Sequence, residues 1–300
     1  MRIFVTGAAG QLGYDVIKRA TACGHGVVGS DIGDPSDDDI YDIKLDITDK
    51  EAVQRTVLDI RPDVIVHCAA WTAVDAAEDP DNYERVKAVN VDGTRYLADA
   101  ARETGARMVY ISTDYVFDGS GERPWEPDCQ EYAPLNVYGQ TKLAGELAVS
   151  HTLDRYFIVR IAWVFGLHGK NFVKTMLQAG KKHASVRVVC DQIGTPTYTH
   201  DLARLLVDMI ETEKYGYYHV TNEGGYISWY EFATEIYRQA GMQTGVIPVT
   251  TAEYGLSQAV RPFNSRMDKS KLQRNGFEPL PEWKDALHRY LKELKEQGGM

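Results

Sequence analysis

Three hundred residues, 44% of them hydrophobic, can bury a full core and suggest one large domain with a smaller one beside it. A formal net charge of −10 argues against a surface made for nucleic acid or an anionic membrane, so a phosphate-bearing ligand has to be held by local donors. The four cysteines (Cys23, Cys68, Cys129, Cys190) lack metal-type spacing, no apolar run reaches membrane-spanning length, and the first residues enter a strand at once; these point to a reducing, cytoplasmic setting with no signal peptide.

In chain order, short apolar runs alternate with helical patterns. Residues 2–6 read as a strand, 11–23 as a helix stopped by Gly24, and 26–30 as a second strand. The turn after the first strand carries Gly7, Gly10 and Gly13. Glycines there let the backbone approach a pyrophosphate, whose charge then meets the unpaired N–H groups of the helix start. A glycine triplet alone says little; directly after a strand and before a helix it favours a dinucleotide. Asp31 closes the second strand, eighteen residues past Gly13. A carboxylate there accepts hydrogen bonds from both adenosine-ribose hydroxyls and repels a 2′-phosphate, which leans the reading towards NADH over NADPH. The alternative is a surface-turn aspartate, since the acidic stretch 33–39 follows and reads as a solvated loop.

Residues 43–47 read as a brief third strand, 49–60 as a helix ended by Arg61 and Pro62, and 63–67 as the next strand. Asp46 and Ile47 are placed to cap an adenine, and Ala69 and Ala70 are small enough to let the backbone pass close to a cofactor, while His67 and Cys68 read as buried strand residues. A long helical stretch covers 80–104, and 107–111 is a buried strand running into Ser112, Thr113 and Asp114. A loop rich in Pro and Gly leads to a helix of about 138–150, and 156–161 is again a strand. The alternation predicts a parallel sheet with helices on both faces.

Tyr138 and Lys142, four apart on that helix, share a face. A tyrosine with a pKa of about 10 works poorly near neutrality, and a fixed ammonium beside it favours the phenolate. The same spacing recurs at Tyr14/Lys18 and Tyr83/Lys87, where the pair can simply cover a helix surface. Context separates them: only Tyr138 follows a strand that delivers a hydroxyl, Thr113, to its carboxyl end, where open parallel sheets bind ligands.

After Gly166 the alternation weakens. Residues 171–182 read as a helix, 186–189 as a strand, 200–210 as a helix and 217–220 as a short strand. Ser228 and Glu231 form a capping-box pattern at the start of a 228–240 helix. Trp283, Leu287, Tyr290, Leu291 and Leu294 fall on one face of a terminal helix.

The glycine turn, Thr113 and the Tyr138/Lys142 pair, with Tyr138 twenty-five positions after Thr113, resemble the extended short-chain dehydrogenase/reductase superfamily. More narrowly, the stretches 68–75, 112–119, 134–146, 160–166, 171–176, 191–197 and 261–265 resemble the dTDP-4-dehydrorhamnose reductase family, and the likeness covers essentially the whole chain. It implies a Rossmann-type doubly wound parallel sheet over residues 1–165 and a smaller α/β substrate domain over 166–300, some segments of which pack back on the first. It also implies roles. Gly7, Gly10, Gln11, Leu12 and Gly13 would hold the pyrophosphate, and Asp31, Asp46, Ile47, Ala69, Ala70 and Trp71 would line the rest of the cofactor site. Tyr138 would protonate the substrate oxygen, with Thr113 bonded to the same atom. Lys142 would hold the nicotinamide ribose and lower the phenol pKa. Asp114 and Trp163 would touch the sugar, although Trp163 reads equally well as a core tryptophan. Gln192 and Arg261 would reach the nucleotide and its diphosphate, a role that suits the planar fork of arginine.

The activity implied is NAD(P)H-dependent reduction of the 4-keto group of dTDP-4-dehydro-L-rhamnose to dTDP-L-rhamnose. Sugar-nucleotide dehydratases place an Asp-Glu pair after the threonine; here Asp114 is followed by Tyr115, so the elimination acid/base is missing from its expected place. Another nucleotide-sugar reductase, an epimerase, or a non-catalytic NAD(P)-binding regulatory subunit are the alternatives, the last set against the presence of Thr113, Tyr138 and Lys142 together. The resemblance further implies a possible homodimer and Mg2+ at subunit contacts, for which no carboxylate cluster can be assigned from the sequence.

Overall fold

The computed structural model describes residues 1–35 and 40–298, so most of the charged part of the acidic stretch 33–39 lies outside the described residues. Strands β1 (Arg2–Thr6), β2 (Gly26–Asp31), β3 (Ile43–Lys44), β4 (Val64–His67), β5 (Arg107–Thr113) and β6 (Tyr156–Ile161) join a seventh, Gly216–His219, in one parallel sheet. The order is β3-β2-β1-β4-β5-β6 and then the seventh strand, so the chain reverses direction across the sheet between β1 and β4. That is the topological switch point, where a crevice opens at the carboxyl ends.

The strands are apolar on both faces because both are covered. On β1, Ile3 and Val5 face one way, against Val16 of helix α1 (Gln11–Ala22) and Leu202 and Leu206 of the helix Thr199–Ile210. Phe4, Ile65, Met108 and Ile158 face the other way, against Val57 of helix α2 (Lys50–Ile60) and Leu97 of the helix Thr94–Thr104. A third core, built from Phe165, Tyr198, Phe232, Trp283, Leu287 and Tyr290, belongs to the remaining segments. There the helices Phe172–Lys182, Trp229–Ala240 and Trp283–Glu296 pack around small two-stranded pairings, among them Ser185–Val189 with Gly245–Val249. The Ser228/Glu231 capping box is present, and Thr250 with Glu253 forms a second one.

Three local departures from the sequence reading have physical causes. The third strand stops at Lys44 because Asp46 turns its Oδ1 onto the Thr48 N–H (2.9 Å) and hydroxyl (2.7 Å), and Asp49 then caps α2. β5 runs on to Thr113, its polar end paired with β6 as far as Ile161. The stretch 80–104 is not one regular helix: a π-turn over Ala88–Gly93 interrupts it. That turn aims the buried Asn90 inward, where Oδ1 accepts from Trp71 N (2.8 Å) and Nδ2 donates to Thr141 Oγ1 (3.1 Å).

Arg160, wholly buried on β6, ties a long loop to the sheet. It donates to both carboxylate oxygens of the equally buried Glu146 (2.8 and 2.7 Å), to Pro127 O and to Tyr132 Oη. Its Nη1 also reaches His219 Nε2, whose Nδ1 meets Trp125 O at 3.0 Å; a donor at Nε2 assigns the His219 proton to Nδ1.

Candidate active site

The crevice begins at the glycine turn. Gly7 has φ +70°, and a Cβ there would lie 2.6 Å from Ala69 N; a Cβ on Gly13 would lie 2.1 Å from Gly7 O. Both positions therefore exclude any side chain, and the backbone of the turn stays open to a ligand. No side chain caps α1 at Gly10, so its first-turn N–H groups keep the partial positive charge that suits a diphosphate. These features fit a dinucleotide on protein geometry alone. Leu12 is buried beneath the turn, and Gln11 bridges to the other half of the chain, donating to Lys170 O (3.3 Å) and accepting from Asn171 Nδ2 (3.0 Å). Asp31 accepts from Ala9 N at 2.9 Å and Ile32 N at 2.8 Å, which holds it against the turn. Ile47 is buried, Asp46 is exposed, and Ala69, Ala70 and Trp71 follow the carboxyl end of β4. His67 is a core residue, hydrogen-bonded to Thr6 (2.7 Å) and Thr94 (3.0 Å), and burial pulls its pKa down to about 3.

Two strands over, β5 ends at Thr113, whose hydroxyl donates to Asp114 Oδ1 (3.0 Å) and accepts from Tyr115 N (3.2 Å). The Tyr138 helix, Val137–Thr152, starts with Asn136 capping Gly139 N at 2.8 Å, and Glu78 takes the Val137 N–H at 2.7 Å. A Cβ on Gly139 would lie 2.3 Å from Tyr115 O, so the helix end sits hard against the Thr113–Tyr115 turn. The result is a Tyr138 phenol facing the Thr113 hydroxyl. Lys142 lies one turn further along the same helix. Its buried ammonium donates to Ile111 O (2.7 Å) and lies 4.1 Å from the centre of the Tyr110 ring. Burial lowers its pKa to about 7, opposed by Glu146 one turn further on. Burial likewise raises the Tyr138 pKa, the Thr113 bond pulling it back and the Asp114 charge adding to the rise.

On the far side of the crevice, Asp114 is buried and burial lifts its pKa to about 6, with the Ser265 and Thr113 hydroxyls holding it back. Trp163 adopts φ +51°, a strained backbone for a bulky residue, and stacks on Trp229 with ring centres 3.8 Å apart. Gln192 is buried and donates to Thr251 Oγ1 at 3.0 Å. Arg261 is held by Asp75, Nη2 to Oδ2 at 2.8 Å and Nη1 to Oδ1 at 3.3 Å. The chain after it is threaded between neighbours: Ile193 N donates to Phe263 O (2.8 Å), and Asn264 N to Gly119 O (2.9 Å).

The family described as the RmlD substrate binding domain matches residues 1–296. The chain is also 42% identical over 292 residues to a dTDP-4-dehydrorhamnose reductase of Streptomyces griseus, an alignment covering 95% of this chain and 91% of that protein. This chain belongs to the dTDP-4-dehydrorhamnose reductase family. The crystal structure of dTDP-4-dehydrorhamnose reductase from Bacillus anthracis, in complex with NADP, matches with a TM-score of 0.89 and 41% identity over 97% of this chain and 99% of that one. The spore coat polysaccharide biosynthesis protein SpsK of Bacillus subtilis is 36% identical over 97% of each chain.

The lean towards NADH is not supported. That lean rested on Asp31, whose two oxygens here already serve backbone N–H groups, and the Bacillus anthracis member was solved with NADP. Among the described residues no three His, Cys, Asp or Glu side chains converge as a metal site, and no helix is long and apolar enough to cross a membrane. The four cysteines are unpaired thiols. Sequence reasoning assigned no role to Asn90, Asp75 or Ser265. Asn90 sits in a π-turn that no periodicity announces, and the partners of Asp75 and Ser265 come from distant segments. The one available signal was that Asp75 and Ser265 end two of the family-like stretches.

Proposed function

We propose that this chain is an NAD(P)H-dependent reductase that converts dTDP-4-dehydro-L-rhamnose to dTDP-L-rhamnose, a step in nucleotide-sugar biosynthesis. One observation carries the reading: the Tyr138 phenol and Thr113 hydroxyl meet at the carboxyl end of β5, on the same sheet edge as the Gly7–Gly13 turn. The turn and the α1 N-terminus would hold the pyrophosphate, with Asp31, Asp46, Ile47, Ala69, Ala70 and Trp71 around the rest of the dinucleotide. A bound dihydronicotinamide supplies the hydride. Tyr138 gives its proton to the substrate oxygen as that oxygen takes on alkoxide charge, and Thr113 hydrogen-bonds the same atom. The phenol is protonated near neutral pH, as a proton donor must be until the charge appears. Lys142 is the cation nearest in sequence to the phenolate left behind, and would hold the nicotinamide ribose. Asp114 and the face of Trp163 would meet the sugar, and Gln192 and Arg261 the nucleotide and diphosphate.

In this scheme residues 1–165 bind mainly the dinucleotide and 166–300 mainly the nucleotide sugar, with the segment from Thr199 to His219 packed back on the first part. The test is nicotinamide absorbance with purified chain and dTDP-4-dehydro-L-rhamnose, using NADPH and NADH in turn. Oxidation of either, with dTDP-L-rhamnose as product, is expected. An epimerase would interconvert sugars without consuming dinucleotide, and a regulatory subunit would bind without turnover; either result would overturn the reading.

A further inference from the structure

We propose that Asp75 is a positioning residue for substrate: it grips one end of the Arg261 guanidinium and so aims the free edge at the diphosphate of the nucleotide sugar. The inference rests on the reductase reading above and deepens it. A guanidinium carries five N–H donors in a rigid fork. Asp75 takes one from Nη2 (2.8 Å) and one from Nη1 (3.3 Å), and Ser257 Oγ takes the other Nη1 proton (3.3 Å). The Nε–H and the second Nη2–H remain, and among the described residues neither has a protein partner. These two lie side by side along one edge of the plane, the geometry that binds a phosphate through two parallel hydrogen bonds.

The carboxylate is anchored on the opposite side of the crevice. Its Oδ1 also accepts from Gln258 N and Ala259 N, both at 3.1 Å, so one side chain fixes three residues of the segment that carries Arg261. Asp75 belongs to the short helix Val74–Ala77, and Glu78, just beyond it, holds the first N–H of the Tyr138 helix. Asp75 and Arg261 both lie near enough to act on the Tyr115 phenol, and the Tyr115 ring meets Tyr138 edge-on with centres 5.7 Å apart. The free edge of Arg261 is thereby tied to the proton-donating end of the site, across 186 positions of sequence. A loose arginine would lose rotamer freedom on binding; one already held loses less. The opposing effect is repulsion between Asp75 and the phosphates, and the sign of a single substitution decides between them.

The experiment measures dTDP and thymidine affinity by calorimetry, and NADPH affinity by nicotinamide fluorescence, for the wild type, Asp75→Ala, Arg261→Ala and the double variant. Orientation predicts that Asp75→Ala weakens dTDP binding about tenfold, leaves thymidine and NADPH within about twofold, and adds nothing once Arg261 is alanine. In turnover, the KM for the nucleotide sugar should rise with kcat nearly kept. Tighter dTDP binding in Asp75→Ala would make the carboxylate a competitor and overturn the proposal. So would an equal loss in both backgrounds, or a loss shared by thymidine, each of which marks a merely structural anchor. Failure of the wild type to bind dTDP at all would instead remove the reductase reading itself.

Discussion

Lys142 and Arg160 are both buried cations served by the helix Val137–Thr152, yet their surroundings differ in kind. Arg160 is matched by the full carboxylate of Glu146 and by further acceptors from Pro127, Tyr132 and His219. Lys142, one helical turn from the same glutamate, meets the Ile111 carbonyl and the face of Tyr110, and burial drags its pKa to about 7. A buried charge with every donor matched is architecture. A buried charge left with a weak partner has coordination to offer a ligand, at a cost in stability that the rest of the fold must cover. The contrast distinguishes a knot that holds loops in place from a group held ready for chemistry.

The largest effect should fall on the reactive side. Tyr138→Phe is expected to lower turnover by roughly 10²–10⁴-fold while dinucleotide and nucleotide affinities stay within about twofold; unchanged turnover would break the mechanism. On the architectural side, Arg160→Met leaves Glu146 buried without its partner and should cost about 3–5 kcal/mol of stability, read by urea unfolding. Pairing it with Glu146→Leu should restore most of that loss. A single-variant loss below about 1 kcal/mol would place Arg160 among ordinary surface ion pairs instead.

Lys142→Met sharpens the contrast through pH. The folded-state pKa of about 7 lies below the ordinary value of 10.5, so between them the unfolded chain holds a proton that the folded chain has lost. Stability from this group is therefore lowest below pH 7 and rises towards pH 10. The variant should lack that rise in melting temperature, and should weaken the dinucleotide about tenfold if the ribose role holds. The smallest effect concerns Asp114, raised from 3.8 to about 6. Between those values the folded chain keeps a proton that the unfolded chain has released, so this group's contribution falls as pH rises from about 4 to 6. Asp114→Asn should flatten that fall in a series of thermal melts.

The sheet was legible in the sequence because its strands are apolar runs set between helical periods, and because the Gly7–Gly13 turn has few other uses after a first strand. That Thr113 ends its strand at the carboxyl edge and Tyr138 sits at the start of the following helix was legible in the same way. What flanks the phenol was not, because spacing on a helix fixes which side chains share a face but not what packs around them: the Tyr115 ring meets Tyr138 edge-on. Nor was the partner of Arg261: Asp75 lies 186 positions away, and a charge pair between distant loops leaves no periodic trace. The π-turn was hidden for a related reason, since Ala88–Gly93 has ordinary helix-forming neighbours and departs from them only to point Asn90 inward.

The seventh strand, Gly216–His219, closes the flank of β6 with residues made some fifty positions later. Until the ribosome has released that stretch, β6 carries an open row of peptide groups at the margin of an otherwise complete sheet. A polypeptide cut after the first 165 residues keeps this raw border permanently, and such fragments should clump through it. Full-length synthesis, or the missing strand supplied in trans, is what would keep the nucleotide-binding half in solution.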